Sequence, residues 1–452
     1  MRRGTTMVYD VVVVGGGVSG MNAARDLKRS GLDNFLVLEA RDRVGGRTLI
    51  QHADGVIVDG GATWVNPNQT AILDLLHELG IERFEQYAAG DSFAILGGDA
   101  EKIKPAAPNP HLADTMDAMV ATVSAEAPWE APNAKEWNGM TFQQFLDTQD
   151  LDQATLMTTK IAFEIASCAP LSEITLLNLL FAMRATGGFS GIGAPASGLP
   201  QYHIVGGMAS ISNRIAADLG DKVRLSSPVT KLSNWDGPGP VRIETPNGTV
   251  EARKVIMAMG GSLASQISYE PELPPMRKGL HDTIDRNHCL IKTHTVYERP
   301  FWRDQGASGQ IIWPDGLFNI SADVTPPGTE KGVLVTLVRS PRDGEPMSLE
   351  DRKAGTIEAF AKAFGEEALH PTDFVMQDWL QEKYTKGVED LWSPGLYLDY
   401  GPALRAPLGN IIWGGTETSL FWCGFIDGAV RGGHQAALTA LASLAEELVP
   451  AN

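Results

Sequence analysis

The hydrophobic pattern changes period several times along the chain. Residues 8–14, VYDVVVV, are a β-branched run suited to a strand buried on both faces, and NFLVLE reads as a second strand closing on Glu39. Between them MNAARDLKRSG predicts a helix stopped by Gly31, which completes a strand–helix–strand unit. TAILDLLHELG sets Ile72, Leu75, Leu76 and Leu79 on one face of a helix ending at Gly80. From about 85 to 200, segments such as MTFQQFLDTQ and LSEITLLNLLFAMRA between Pro- and Gly-rich connections predict a mainly helical insertion. YHIVGGMASISNRIAADLGDKVRLSSPVTKL then returns to mixed helix and strand. VRIETPNGTVEA predicts a hairpin turning at Asn247-Gly248, and KVIMAMG a further buried strand. A strand near residue 292 carries Leu290, Lys292, His294 and Val296 on one face. The final piece, LGNIIWGGTETSLFWCGFIDGAVRGGHQAALTAL, predicts strand, turn and helix.

At 452 residues and 43% apolar content the chain exceeds what one core usually serves, so two domains are expected. No stretch is repetitive or of low complexity, which predicts globular structure throughout. A formal charge of −18 argues against nucleic acid as a partner; an acidic body would favour encounter with cationic small molecules, although most of the charge reads as ordinary solubilising surface. Cys168, Cys289 and Cys423 are scattered without Cys-x-x-Cys spacing, and the histidines show no metal spacing. Neither a disulfide framework nor a metal site is expected, and a cytoplasmic location fits best. The opening MRRGTTMVYDVVVVGGG resembles a secretion signal only until Asp10 interrupts it, and no small-residue cleavage site follows. No apolar run reaches the roughly 18 to 20 residues of a membrane helix. A start at Met1 or Met7, and assembly as a homodimer, are both open.

Candidate chemistry begins with GGGVSG between the first strand and helix. Gly15, Gly17 and Gly20 have G-x-G-x-x-G spacing: the first permits a tight turn, the second lets backbone N–H groups approach a pyrophosphate, and the third lets helix pack on strand. Glu39 follows about 20 residues later, where an acceptor for ribose hydroxyls belongs. An adenine dinucleotide is the expected ligand. Ser19 lies in this loop without an elbow context, so a hydrolase triad has no support.

LEARDRVGGRT, residues 38–48, resembles the flavin-containing amine oxidase family, the group of monoamine and putrescine oxidases, and the likeness runs through nearly the whole chain. The resemblance implies FAD, with Glu39 on the ribose, Arg47 and the backbone of Gly45 and Gly46 at the phosphates, and Arg41 and Arg43 flanking the nucleotide. DGGATWVNPNQ matches the family's second flavin loop, in which Gly60, Gly61 and Ala62 pass close to the cofactor. Backbone near Val229 would meet the adenine. Glu417 of the GTET turn would bind the ribityl or pyrophosphate region, and backbone near Phe425 and Ile426 would point at the flavin.

The same resemblance makes Lys292 the residue that holds a water at flavin N5, and Trp379 a flank of the isoalloxazine. Val388 stands where some members carry a cysteine bonded to the flavin, which implies non-covalent FAD. Phe425 matches one wall of the family's aromatic pair, but Glu389 replaces the other. Glu389 could bind a second cationic group, Trp392 could supply the missing ring, or the carboxylate could sit on an exposed loop. Tyr202 and Trp64 are further candidates for the pocket wall.

The implied architecture is α/β. A Rossmann-like FAD-binding domain would be assembled from 1–84, 205–281 and 386–452, with an α+β substrate domain from 85–204 and 282–385. The implied activity is oxidation of an amine C–N bond to an imine, hydrolysed to aldehyde or ketone, with oxygen as acceptor and hydrogen peroxide as product. The alternatives are an L-amino-acid oxidase or desaturase, a dehydrogenase with another acceptor, and a flavin-binding module without catalysis.

Overall fold

In the computed structural model, which describes residues 7–103, 109–192, 201–284, 287–288, 290–314, 316–339, 347–389 and 391–448, the first β-branched run is a strand over Val8–Val14. The helix Val18–Arg29 and the strand Phe35–Leu38 follow, and the two strands pair in parallel from Val11↔Phe35 to Val14↔Leu38. Both strands are buried on both faces where they pair, as their unbroken apolar runs require. The predicted helix over TAILDLLHEL forms at Thr70–Leu79 and stops at Gly80, whose φ of 63° is the left-handed cap glycine adopts readily.

Among the described residues the first sheet has eight strands. Its parallel centre is Val8–Val14 between Phe35–Leu38 and the long strand Gly248–Met257, to which Ile411–Trp413 also pairs in parallel. The long strand departs from the expected pattern. The hairpin strand and KVIM are one ten-residue element: its first half pairs antiparallel with Val241–Thr245 and its second half with the C-terminal strand. Thr245 pairs with Gly248, so the turn residues are Pro246 and Asn247, one position earlier than the Asn-Gly signal indicates. Proline's fixed φ suits the first turn position.

A second sheet of seven strands runs in the order Asp373–Asp378, Leu290–Tyr297, Gly332–Arg339, Ile320–Asp323, Ala307–Ile312, Asp91–Leu96, Asp99–Ile103. The last two form a hairpin at the start of the segment expected to be mainly helical. The available signal was Gly97-Gly98, both at positive φ, between two short strands. Beyond it the helical expectation holds: Pro110–Val120, Phe142–Asp147, Gln153–Ser167 and Leu176–Thr186 pack around Leu112, Phe142, Phe163, Leu177 and Phe181.

The chain ends meet through two helices. Ile426–Leu448 crosses Val18–Arg29 so closely that a Cβ on Gly433 would lie 2.1 Å from the Ser19 carbonyl oxygen. Glycine at this crossing brings the C-terminal turn against the N-terminal loop. Among the described residues no helix is long and apolar enough to cross a membrane.

Candidate active site

The glycine loop has the geometry its spacing predicts. Gly15 has φ of 107°, and a Cβ there would lie 2.6 Å from the Ala258 carbonyl; a Cβ on Gly20 would lie 1.9 Å from the Gly15 carbonyl. Glu39 is 4% exposed and binds back onto the loop, accepting from Gly16 N at 2.6 Å and Arg41 N at 2.8 Å. The double-glycine loop lies alongside: Gly45 N donates to the Gly16 carbonyl at 2.8 Å, and Gly17 bridges to Gly45. Ser227 N donates to the Glu39 carbonyl at 2.8 Å, which brings the half-buried Val229 segment beside them.

Three arginines of this region do different things. Arg43 clasps its own loop, donating to the carbonyls of Val44, Gly46 and Thr48 at 3.1–3.2 Å. Arg41 reaches Glu382 at 3.2 Å and Thr385 at 2.5 Å, so a carboxylate already meets its charge. Arg47 is half-buried, and among the described residues its guanidinium makes no hydrogen bond or ion pair. A Cβ on Gly17 would find only the Gly46 Cα within 4 Å, at 3.9 Å. A cradle with room above glycine backbone, a helix start whose cap has no side chain, and an unengaged guanidinium suit a pyrophosphate. The residues present therefore fit an adenine dinucleotide.

The C-terminal turn joins this cradle directly. The Ser19 hydroxyl donates to the Gly414 carbonyl, and Asn22 Nδ2 donates to the Val430 carbonyl at 3.0 Å. Glu417 is buried in the 416–418 turn, with its carboxylate folded back against Gly415. Phe425 immediately precedes the last helix, half-buried, with its ring 5.3 Å from that of Trp422. Asp427, wholly buried, accepts from Ile72 N at 2.9 Å and Arg431 Nε at 2.6 Å, which ties the helix start to Thr70–Leu79.

Lys292 stands on the central part of the second sheet, 2% exposed, and reaches into the 59–63 loop of the first region. Its Nζ donates to the Gly61 carbonyl and the Thr63 hydroxyl, and lies 4.8 Å from the Trp64 ring centroid. Trp379 Nε1 donates to the Gly60 carbonyl at 2.9 Å, one residue away. The loop is tied on both sides: Gly60 N donates to the Leu49 carbonyl, Ala62 N to the Arg47 carbonyl, and a Cβ on Gly61 would lie 2.0 Å from the latter.

Burial dominates the electrostatics here. It lowers the Lys292 ammonium to a pKa of about 8, with the Asp59 carboxylate opposing the shift. Burial raises Asp59 to about 7, against the pull of the Met208 N–H at 2.7 Å and of Lys292. His203 falls to about 3 and His294 goes well below the ordinary histidine range, burial first and Lys292 second in both. Both imidazoles are therefore neutral near pH 7. Burial thus pushes the carboxyl up and the ammonium down, towards each other, which makes this amine easier to deprotonate than an exposed lysine.

The sequence-predicted residues thus fall into three groups. Gly15, Gly17, Gly20, Glu39, Gly46, Arg47 and Val229 surround the cradle; Gly61, Ala62, Lys292 and Trp379 meet at the loop; Glu417, Phe425 and Ile426 lie at the C-terminal turn. Trp392 goes elsewhere: its indole N–H donates to the Ser167 carbonyl at 2.9 Å within the helical core. Glu389 pairs through its backbone with Asn287. Trp64 and His203 share the Gln86 carboxamide oxygen at 2.6 and 3.1 Å, and Tyr202 lies under the Arg83 guanidinium. Asp59 and Thr63 of the quoted loop and His294 on Lys292's strand face were given no role from sequence, and the structure brings all three beside Lys292. A surface cleft of about 470 Å³ beside Lys254, Pro407 and Leu438 contains none of these groups.

A mixed sheet with a parallel centre, a glycine cradle that fits a dinucleotide, and a buried lysine and tryptophan meeting at one loop together fit a flavoprotein oxidoreductase. Residues 18–441 match the family described as flavin containing amine oxidoreductase, and the chain belongs to that family, whose cofactor is FAD. It is 34% identical over 447 residues to a flavin-containing amine oxidase of Oncorhynchus mykiss, covering 95% of this chain and 85% of that protein. Against flavin-containing amine oxidase A of Canis lupus familiaris it is 34% identical over 463 residues, covering 97% and 87%. The structure of a wild-type putrescine oxidase bound to putrescine superposes with a TM-score of 0.87 at 32% identity, covering 97% of this chain and all of that one. Cyclohexylamine oxidase from Brevibacterium oxydans gives 0.88 at 28% identity, covering 98% and 100%. The chain is a flavin-dependent amine oxidoreductase.

Proposed function

We propose that this enzyme oxidises the C–N bond of a small primary or secondary amine to an imine, which water hydrolyses to an aldehyde or ketone, and that oxygen takes the electrons and leaves as hydrogen peroxide. The observation that carries the reading is the meeting of Lys292 and Trp379 on consecutive carbonyls of the 59–63 loop. FAD, when bound, supplies the two-electron acceptor. The protein's own part is to hold, orient and desolvate. Glu39 and Arg47 are assigned to the ribose and pyrophosphate, with the glycine backbone of 15–20 and 45–46 beneath them. Val388 in place of a cysteine supports non-covalent attachment.

Lys292 is assigned to the proton traffic of the oxygen step, because it is buried at the 59–63 loop and burial lowers its amine below the ordinary lysine range. Trp379 and Phe425 are assigned to the walls of the reaction space, with aromatic faces that exclude water. Glu389 stands where an aromatic wall is expected and is assigned to a polar or cationic group of the substrate. Relatives described as acting on putrescine and cyclohexylamine support small alkyl amines as the substrate class. The sheet built on Val8–Val14 would form the FAD domain, and the sheet built on Leu290–Tyr297 with the helices of 110–192 the substrate domain. A cytoplasmic location rests on the cysteine pattern.

An oxygen electrode with a panel of monoamines, diamines and amino acids tests the reading. Amine-dependent oxygen uptake with equimolar peroxide supports it. Turnover with an artificial acceptor but not with oxygen would assign a dehydrogenase instead.

A further inference from the structure

His294 is buried in a place that suits it poorly. It is 1% exposed in the middle of Leu290–Tyr297, on the face it shares with Lys292 and Val296. Val335 and Val375 stand opposite it on the neighbouring strands. The hairpin of Ile50–Ala53 and Val56–Asp59 covers this face, and Ala53, Val56 and Val58 pack with Val296, Val335 and Val375. Among the described residues neither ring nitrogen of His294 has a hydrogen-bond partner. A neutral imidazole carries one donor and one acceptor, and leaving either unmet in an apolar interior costs stability.

A second unmet group faces the same region. Gln51 pairs with Val58 on the covering hairpin, and its Oε1 is also buried without a partner among the described residues. Its Nε2 reaches the Met376 carbonyl at 3.4 Å, one residue from the Val375 that stands opposite His294. Imidazole and carboxamide thus lie on two packed surfaces, with a donor on one and an acceptor on the other. Buried polar groups left over in this way are usually closed by an ordered water.

We propose that His294 and Gln51 hold a buried water between them, and that His294 acts through it as a positioning residue for Lys292. This rests on the amine oxidase reading above. The water locks the ring beside the Lys292 stem, so that Nζ stays aimed at Gly61 and Thr63 and its change of charge is met by a polar neighbour in place of bare valine. The titratable groups acting on His294 are Lys292 from its own strand and His203 from Tyr202–Ile204; Asp59 of the hairpin acts on Lys292 from the hairpin's other face, and the adjoining strands contribute Val335, Val375 and, two residues along, Asp373, which accepts from Asp54 N of the hairpin.

The test compares His294→Leu, His294→Gln and Gln51→Leu as FAD-loaded proteins. The expected result is a wild-type crystal structure with a water between ring and carboxamide, a lower melting temperature in His294→Leu, and a shifted pH midpoint of flavin reduction that His294→Gln restores. A dry interface, or a His294→Leu protein that melts higher with an unshifted midpoint, overturns the proposal, since removing truly unpaired polar groups stabilises. Should His294→Leu fail to fold, Gln51→Leu with the wild-type crystal structure decides on the same criteria. If no amine reduces the wild-type flavin, the amine oxidase reading fails, and melting and crystallography still judge the water.

Discussion

Lys292 donates to the carbonyl of Gly61, a residue 231 positions away, and this contact couples the second sheet to the 59–63 loop that leaves the hairpin of Ile50–Ala53 and Val56–Asp59. Because Gly61 is packed against the Arg47 carbonyl, the lysine's partner and the Arg47 loop touch directly. The Trp379 bond to Gly60 doubles the link one residue earlier. Lys292, Trp379 and the Arg47 loop therefore meet on one short stretch of backbone.

Replacing Lys292 with methionine keeps the stem and removes the donor. FAD is expected to stay bound, because the cradle residues are untouched, while oxygen reoxidation or turnover slows by more than tenfold, above about 1.4 kcal/mol. Stopped-flow measurement of both half-reactions checks this. Unchanged rates in both would remove the lysine from the mechanism.

The Asp59–Lys292 pair imposes a pH signature on stability. Asp59 is raised from 3.8 to about 7, so across that interval the folded state holds more protons than the unfolded chain and stability falls as pH rises. Lys292 is lowered from 10.5 to about 8, so between those values the unfolded chain holds more protons and stability rises with pH. The pair's contribution should be lowest between these two folded-state values. Urea midpoints of wild type and Asp59→Asn across the pH range should differ in slope below neutrality, and those of Lys292→Met above it; parallel curves would reject the pair.

Two glycines of one loop should fail in different ways. Gly20→Ala drives a Cβ to 1.9 Å from the Gly15 carbonyl and should lower the melting temperature of apoprotein and holoprotein alike. Gly17→Ala meets little protein, so the apoprotein should melt near wild type while FAD affinity falls at least tenfold. Calorimetry and FAD titration separate the two, and normal FAD binding by Gly17→Ala would place the cofactor elsewhere.

Trp379→Phe keeps an aromatic face and loses the indole donor, leaving the Gly60 carbonyl without that bond. A cost of about 1–3 kcal/mol in folding stability is expected from chemical denaturation. A loss well below that range would mean the bond contributes little to fixing the loop.

What could be read from the sequence follows how local each feature is. The glycine fingerprint and Glu39 lie within one strand–helix–strand unit, so spacing alone was enough to place them. Lys292 and Trp379 were legible only through family resemblance, since their common target comes from a third segment. Asp59 and His294 were passed over because their significance is tertiary: burial beside an ammonium gives each its character, and neither has a local spacing to mark it. Trp392 shows the converse. Near Glu389 in sequence it suited a pocket wall, but its N–H is anchored on Ser167 in the helical core, a direction no local pattern encodes.

The central claim, that amines reduce a flavin held by this chain, is tested most directly by recording the visible spectrum of the purified holoprotein anaerobically during addition of amines, then admitting air. The account predicts that particular small amines bleach the flavin bands and that air restores them. A yellow protein whose spectrum no amine changes would contradict it.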